Sequence, residues 1–176
     1  MYHSSASARC ATGFTLFELL VTLVIISIIV TMTVLSIGDN QAERERRLTE
    51  QLATLMELAQ ESALFNAEEF ALYFWRHGYS FYRLDGEQWQ RITNDAQLRT
   101  RELPEDIVIT LYLEGLKVKL PELFVPESET KSQPQVFILS SGETTPFEIR
   151  LGNGQDTDME LISNILGNLT MKRRDG

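Results

Sequence analysis

Hydrophobic and polar positions divide the chain into three regimes. From Phe14 to Ile37 the only charge is Glu18, and neither glycine nor proline occurs. As a helix this run would extend about 36 Å at about 1.5 Å per residue, enough to cross a hydrocarbon layer about 30 Å thick. Gly38-Asp39-Asn40 then interrupts the apolar run with residues suited to capping or kinking. Beyond it Leu48, Leu52, Leu55, Met56, Ala59 and Ala63 recur at spacings of three and four. Glu43, Arg46, Thr49, Glu50, Glu57 and Gln60 fall mostly on the other side, so the spacing predicts an amphipathic helix ending near Asn66. Its apolar stripe is read as a face docked on a sheet.

From Phe70 the period falls to two. Phe70–Trp75 is a compact strand candidate, and Tyr79–Leu84 pairs with Gln88–Ile92 across an Asp85-Gly86 turn. Ile107, Ile109, Leu111 and Leu113 alternate strictly, and a strand over Lys117–Leu120 returns after Gly115. Val136–Leu139 leads into Ser140-Ser141-Gly142, Phe147–Leu151 alternates with Glu148 and Arg150, and Met159–Ile162 and Leu166–Lys172 complete the set. Short strands with closely spaced turn signals imply a mostly antiparallel domain, and the fold class is α+β. The chain divides into a leader (1–13), an apolar helix (14–37), its amphipathic continuation (38–66) and a β-rich domain (67–176).

Composition narrows the chemistry. The 176 residues carry a net charge of −9, which disfavours a nucleic-acid surface. Of the two basic clusters, Arg44, Arg46 and Arg47 alternate with Glu43, Glu45 and Glu50 as on a solvated helix face, and Lys172-Arg173-Arg174 is short. The single cysteine, Cys10, and one of the two histidines, His3, precede the apolar run. A chain cut after Gly13 therefore retains no thiol for a disulfide or metal site, and keeps only His77.

Glu18 costs roughly 2.5–3.5 kcal/mol if left unpaired at bilayer depth, so a partner is expected for it. An ordinary secretory signal would be cut after the apolar run, but Thr31–Ile37 offers no such site, and an uncleaved anchor is the plain alternative. The hexapeptide Gly13-Phe14-Thr15-Leu16-Phe17-Glu18 resembles the class III signal of type IV pilins and type II secretion pseudopilins. The resemblance implies that a prepilin peptidase cuts between Gly13 and Phe14 and methylates the new N-terminus at Phe14. The apolar helix would then stay as a single-pass anchor in a bacterial inner membrane, with the β-rich domain in the periplasm. The new Phe14 amine of one copy could meet the Glu18 carboxylate of a parallel neighbour, relieving the burial of both and fixing their axial stagger.

The downstream half carries its own resemblance. Ala59-Gln60-Glu61-Ser62-Ala63, Gly78-Tyr79-Ser80-Phe81, the Asp85-Gly86 turn with Trp89, Leu103-Pro104-Glu105 and Ser141-Gly-Glu-Thr-Thr-Pro-Phe-Glu-Ile149 look like the domain shared by minor pseudopilin H and its type IV pilus relatives. This implies a type IV pilin-like β-sandwich behind the long helix. It also implies a non-enzymatic subunit near the fibre tip, linking other minor pseudopilins to the major one for export of folded periplasmic proteins. The type IV pilus relatives, which serve pilus biogenesis or DNA uptake, are the alternative, and the acidic charge argues against nucleic acid.

No catalytic constellation stands out. His77 sits beside Trp75 and Gly78 at a strand end, Ser141-Gly142 lacks the flanking glycine of a nucleophile elbow, and Gly152-Asn153-Gly154 lacks the lysine and following helix of a phosphate loop. Asp156, Asp158 and Glu160 alternate but lack the glycine and distal glutamate of an EF-hand, so they read as a solvated acidic hairpin. No cofactor or metal is expected. The irregular segment Pro121–Pro134, with its apolar Leu123, Phe124 and Val125, is the candidate contact for a neighbouring pseudopilin or a secreted substrate, a plain mobile connector being the alternative.

Overall fold

The computed structural model describes residues 15–124, 133–153 and 159–173; between 30 and 40 it describes the backbone alone. Among the described residues one helix, α1 (Leu16–Asn66), is followed by ten strands: β1 (Phe70–Trp75), β2 (Gly78–Asp85), β3 (Gln88–Arg91), β4 (Arg101–Glu102), β5 (Val108–Leu113), β6 (Leu116–Lys117), β7 (Val136–Ile138), β8 (Phe147–Gly152), β9 (Met159–Ser163) and β10 (Leu169–Arg173). The chain divides into two units, 1–41 and 42–176.

The described residues of the first unit are helical from Leu16 onward. From Leu16 to Ile29 every side chain is exposed, with no buried stripe, because this stretch is apolar on all sides. Its hydroxyls turn inward: Thr22 Oγ1 donates to Leu19 O and Ser27 Oγ to Leu23 O, both at 2.8 Å. Among the described residues no helical stretch is long and apolar enough to cross a membrane; the side chains of Val30–Ile37, needed to complete the expected span, lie outside them.

In the second unit two antiparallel five-stranded sheets share one core with the end of α1. The first has the order β3-β2-β1-β7 with β4 beside β2, the second β10-β9-β8-β5-β6. Strand alternation points Phe70, Leu72, Phe74, Tyr79 and Phe81 of the first, and Ile109, Leu111, Ile149, Leu151 and Leu161 of the second, into the same cluster as Leu52, Leu55, Met56, Ala59 and Ala63. This is a helix packed on antiparallel sheets, as the α+β reading expects.

Several local expectations need correction. The helix stripe continues through Glu45 and Thr49, both buried, and Thr49 offsets its hydroxyl by donating to Glu45 O at 2.8 Å. The Arg44–Arg47 segment is thus solvated on one side only, where Arg46 bonds Glu43 and Glu50 and Arg44 reaches Asp106 at 2.7 Å. Strand β6 stops at Lys117, although Val118 N still donates to Leu111 O. The last strand begins at Leu169, because Asn164 Oδ1 accepts from both Leu166 N and Asn168 N, which curls 164–168 into a turn. The hairpin after β2 centres on Gly86-Glu87, with Gly86 at φ +63°.

Gly78 has a packing reason. A Cβ there would collide with the Trp75 ring and with the carbonyl of Arg101, which pairs opposite Tyr79. Removing the side chain lets β1 and β2 join through the two residues Arg76-His77 while β4 lies alongside.

Candidate assembly site

The acidic residue of the apolar segment sits in the first turn of α1. Thr15 caps that turn: Glu18 N donates to Thr15 O at 3.1 Å and to Thr15 Oγ1 at 3.2 Å. Thr15 and Glu18 thus have the spacing of a capping box, a signal that was present in the sequence beside the processing motif. A carboxylate here is also favoured by the positive end of the helix dipole. Glu18 is exposed, with Leu16 and Phe17 beside it at 85% and 75% exposure, so the charge and its apolar surroundings are free to meet another chain. Gly13 and Phe14 lie outside the described residues.

The expected partner segment divides in two. Phe124 is docked on the outer face of the first sheet, its ring 5.0 Å from that of Trp75 and 6.2 Å from that of Tyr73, with the Arg91 guanidinium 5.0 Å from its centre. Leu123 points outward at 74% exposure, and Val125 lies outside the described residues. A cleft of about 470 Å³ runs beneath, lined by Trp75, His77, Glu102, Leu103, Glu122 and Leu123 among others. Glu122 bonds Arg76 at 3.2 Å and lies 3.9 Å from His77 Nε2, while His77 Nδ1 donates to Ile107 O at 3.2 Å. His77 therefore braces the β1–β2 turn, and no serine or cysteine hydrogen-bonds it among the described residues.

Glu160 is likewise committed. On the outer face of the second sheet Arg150 bonds both Glu148 and Glu160, the latter at 3.1 Å, and stacks 4.4 Å above the Tyr112 ring. Burial works against the Arg150 charge, but Glu148, Tyr112 and Glu160 more than offset it and raise its pKa. Glu160 thus belongs to a packed ion network and not to a solvated acidic hairpin; Asp156 and Asp158 lie outside the described residues. Among the described residues no three histidine, cysteine or carboxylate side chains gather to hold a metal ion. Tyr79 is buried and pushed up to about 12 by desolvation, which suits a core phenol and no acid–base task near neutrality.

One junction was not visible in the sequence. Gln60, expected on the outer side of the helix, donates from Nε2 to Gly167 O at 2.9 Å and to Thr144 Oγ1 at 3.3 Å. Thr144 N in turn donates to Ile165 O at 3.0 Å, so the helix end, the Ser141–Thr145 element and the 164–168 turn are tied together.

Comparison with known proteins fits this arrangement. The model of the prokaryotic N-terminal methylation motif matches residues 8–34. Type II secretion system protein H of Pseudomonas aeruginosa is 35% identical over 148 residues, 81% of this chain and 84% of that protein. The protein of the same name from Aeromonas hydrophila is 29% identical, covering 88% of this chain and 87% of its own. Among solved structures, the minor pseudopilin EpsH from the type 2 secretion system of Vibrio cholerae superposes with a TM-score of 0.61 at 26% identity, over 73% of this chain and 94% of that one. Escherichia coli GspH superposes at 0.55 with 19% identity, over 76% and 89%, a likeness of fold alone. An N-methylation motif on a helix that leads into this pair of sheets defines a pseudopilin. Within that class, the chain belongs to the family of type II secretion system protein H.

Proposed function

We propose that this chain is a non-enzymatic structural subunit of the type II secretion pseudopilus, placed near the fibre tip. There it links other minor pseudopilins to the major one during export of folded proteins. The observation that carries the reading is the bare apolar helix of the first unit: fourteen consecutive exposed residues, Leu16–Ile29, with one charge among them. Such a surface is stable only in lipid or against other helices of its kind. The segment spans the inner membrane, a prepilin peptidase cuts between Gly13 and Phe14 and methylates Phe14, and in the fibre the helix packs against its neighbours. Glu18 then pairs with the Phe14 amine of the adjacent copy and fixes the stagger. The second unit, in the periplasm, supplies the surfaces that select neighbours, with Leu123 and the adjoining segment as one contact. Mass spectrometry of the mature N-terminus from membranes tests the reading. A methylated Phe14 is expected; an intact Met1 would remove its main support.

A further inference from the structure

Inside the second unit, the far end of α1 carries apolar side chains that the core does not use. Leu64, Phe65, Ile165 and Leu166 are exposed by 58%, 88%, 58% and 71%. The Gln60 junction ties the helix end that carries Leu64 and Phe65 to the turn that carries Ile165 and Leu166. Leu64 lies one helical turn beyond Gln60 and so faces the side on which Gln60 holds Gly167 and Thr144. Its methyl group would stand 3.2 Å from a Cβ at Gly142, in the neighbouring turn. Ile165 and Leu166 sit in the 164–168 turn, which Asn164 Oδ1, Gln60 and Thr144 hold from three sides. The patch is therefore firmly built, and ordering it on contact costs little entropy.

The exposed charges on the helix turns before the patch and on the turn beside it are acidic. Glu57 and Glu61 lie exposed on the two preceding turns of the helix, and Glu143 is exposed next to Gly142. Glu68, just past the helix, is already paired with Arg83 at 3.3 Å. The patch lies about 33 Å along α1 from Ala42, where the chain enters this unit. The pseudopilin reading requires this domain to contact other subunits, and four of the six exposed large apolar side chains described in this unit, Leu64, Phe65, Ile165 and Leu166, lie on the helix end and the turn tied to it.

We infer that Leu64, Phe65, Ile165 and Leu166 form the docking surface for the globular domain of a neighbouring pseudopilin, one that offers an apolar hollow rimmed by lysine or arginine to meet Glu57, Glu61 and Glu143. This rests on the pseudopilin reading and names the surface through which it acts. Burying four such side chains supplies the apolar centre of a contact, and the glutamates supply its orientation and partner choice.

The test uses the full chain in secreting cells, with a photocrosslinking amino acid at Leu166 and, as a control, at Thr54. Expected is a crosslink from position 166 to another pseudopilin of the same system, mapped to a peptide containing lysine or arginine. Glu61→Lys with Glu143→Lys should cut its yield at least fivefold while leaving the chain processed and protease-resistant. A crosslink to a second copy of this chain, to an exported protein, or to nothing would overturn the inference. N-terminal mass spectrometry on the same samples separates failures: an unprocessed chain sinks the pseudopilin reading, whereas a processed chain without the crosslink sinks only this surface.

Discussion

Gln60 Nε2 lies 2.9 Å from Gly167 O although 107 residues separate them in the chain. This bond and its companion to Thr144 join the last turns of α1 to the two loops that close the sheets at that end. Gln60 is half-buried, so its removal leaves Gly167 O and Thr144 Oγ1 with less solvent to replace it. Gln60→Ala should cost about 1–2 kcal/mol in chemical unfolding of residues 42–176, and raise hydrogen exchange at Leu166–Asn168. Gly167→Ala should cost more, because φ is +75° and the new Cβ would stand 2.8 Å from Gln60 Nε2. Unchanged stability in Gln60→Ala would show the junction to be incidental.

Among the described residues two that are not glycine occupy left-handed backbone, and both are expected to be improvable. Ala67, just past the end of α1, has φ 53°, and Glu114, in the two-residue turn between β5 and β6, has φ 51°. Left-handed geometry costs an L-residue roughly 1–2 kcal/mol, part of which glycine gives back through its freer unfolded chain. Ala67→Gly and Glu114→Asn should each stabilise the domain by about 0.5–1 kcal/mol, seen as a higher unfolding midpoint at unchanged slope. Destabilisation by either would show that the side chain makes a contact outweighing its strain.

Asp95 holds the turn that delivers Leu98 to the core: its Oδ1 accepts from Leu98 N at 2.9 Å and Gln97 N at 2.6 Å. The bond from Leu98 N, then that from Gln97 N, lowers the Asp95 pKa below its ordinary 3.8. The folded value is the lower one, so this stabilisation is complete above the ordinary value and is lost as pH falls through the depressed one. Asp95→Asn should therefore lower stability at neutral pH and flatten the acid limb below about pH 4. An acid limb of unchanged slope in that variant would assign the loss to other carboxylates.

For Glu18 the expected phenotype is in assembly. Glu18→Ala should still be cleaved after Gly13, yet fail to enter the fibre. Thr15 still caps the first turn in that variant, so helix loss would not explain the defect. Normal co-assembly with its partners would remove the proposed Phe14–Glu18 pair. Thr15→Val, which removes the cap but keeps the charge, gives the complementary arm and should assemble with at most a mild defect.

Much of this molecule was determined by short-range pattern. The apolar run, the stripe Leu52–Ala63, the β1 segment and the alternation through β5 and β8 follow from periodicity, because a residue's facing in a helix or strand depends on its near neighbours. The processing motif is local as well, and Thr15 and Glu18 stand at their sequence spacing. Tertiary structure decided what depends on residues far apart. It buried Thr49 and Glu45, drew Gln60 inward to two loops, docked Phe124 on the first sheet and committed Glu160 to Arg150. It also left Leu64 and Leu166 uncovered at the two ends joined by the Gln60 bond. Polar side chains take whichever partner the fold brings within hydrogen-bond distance, and that choice is made only when the two sheets close over the helix.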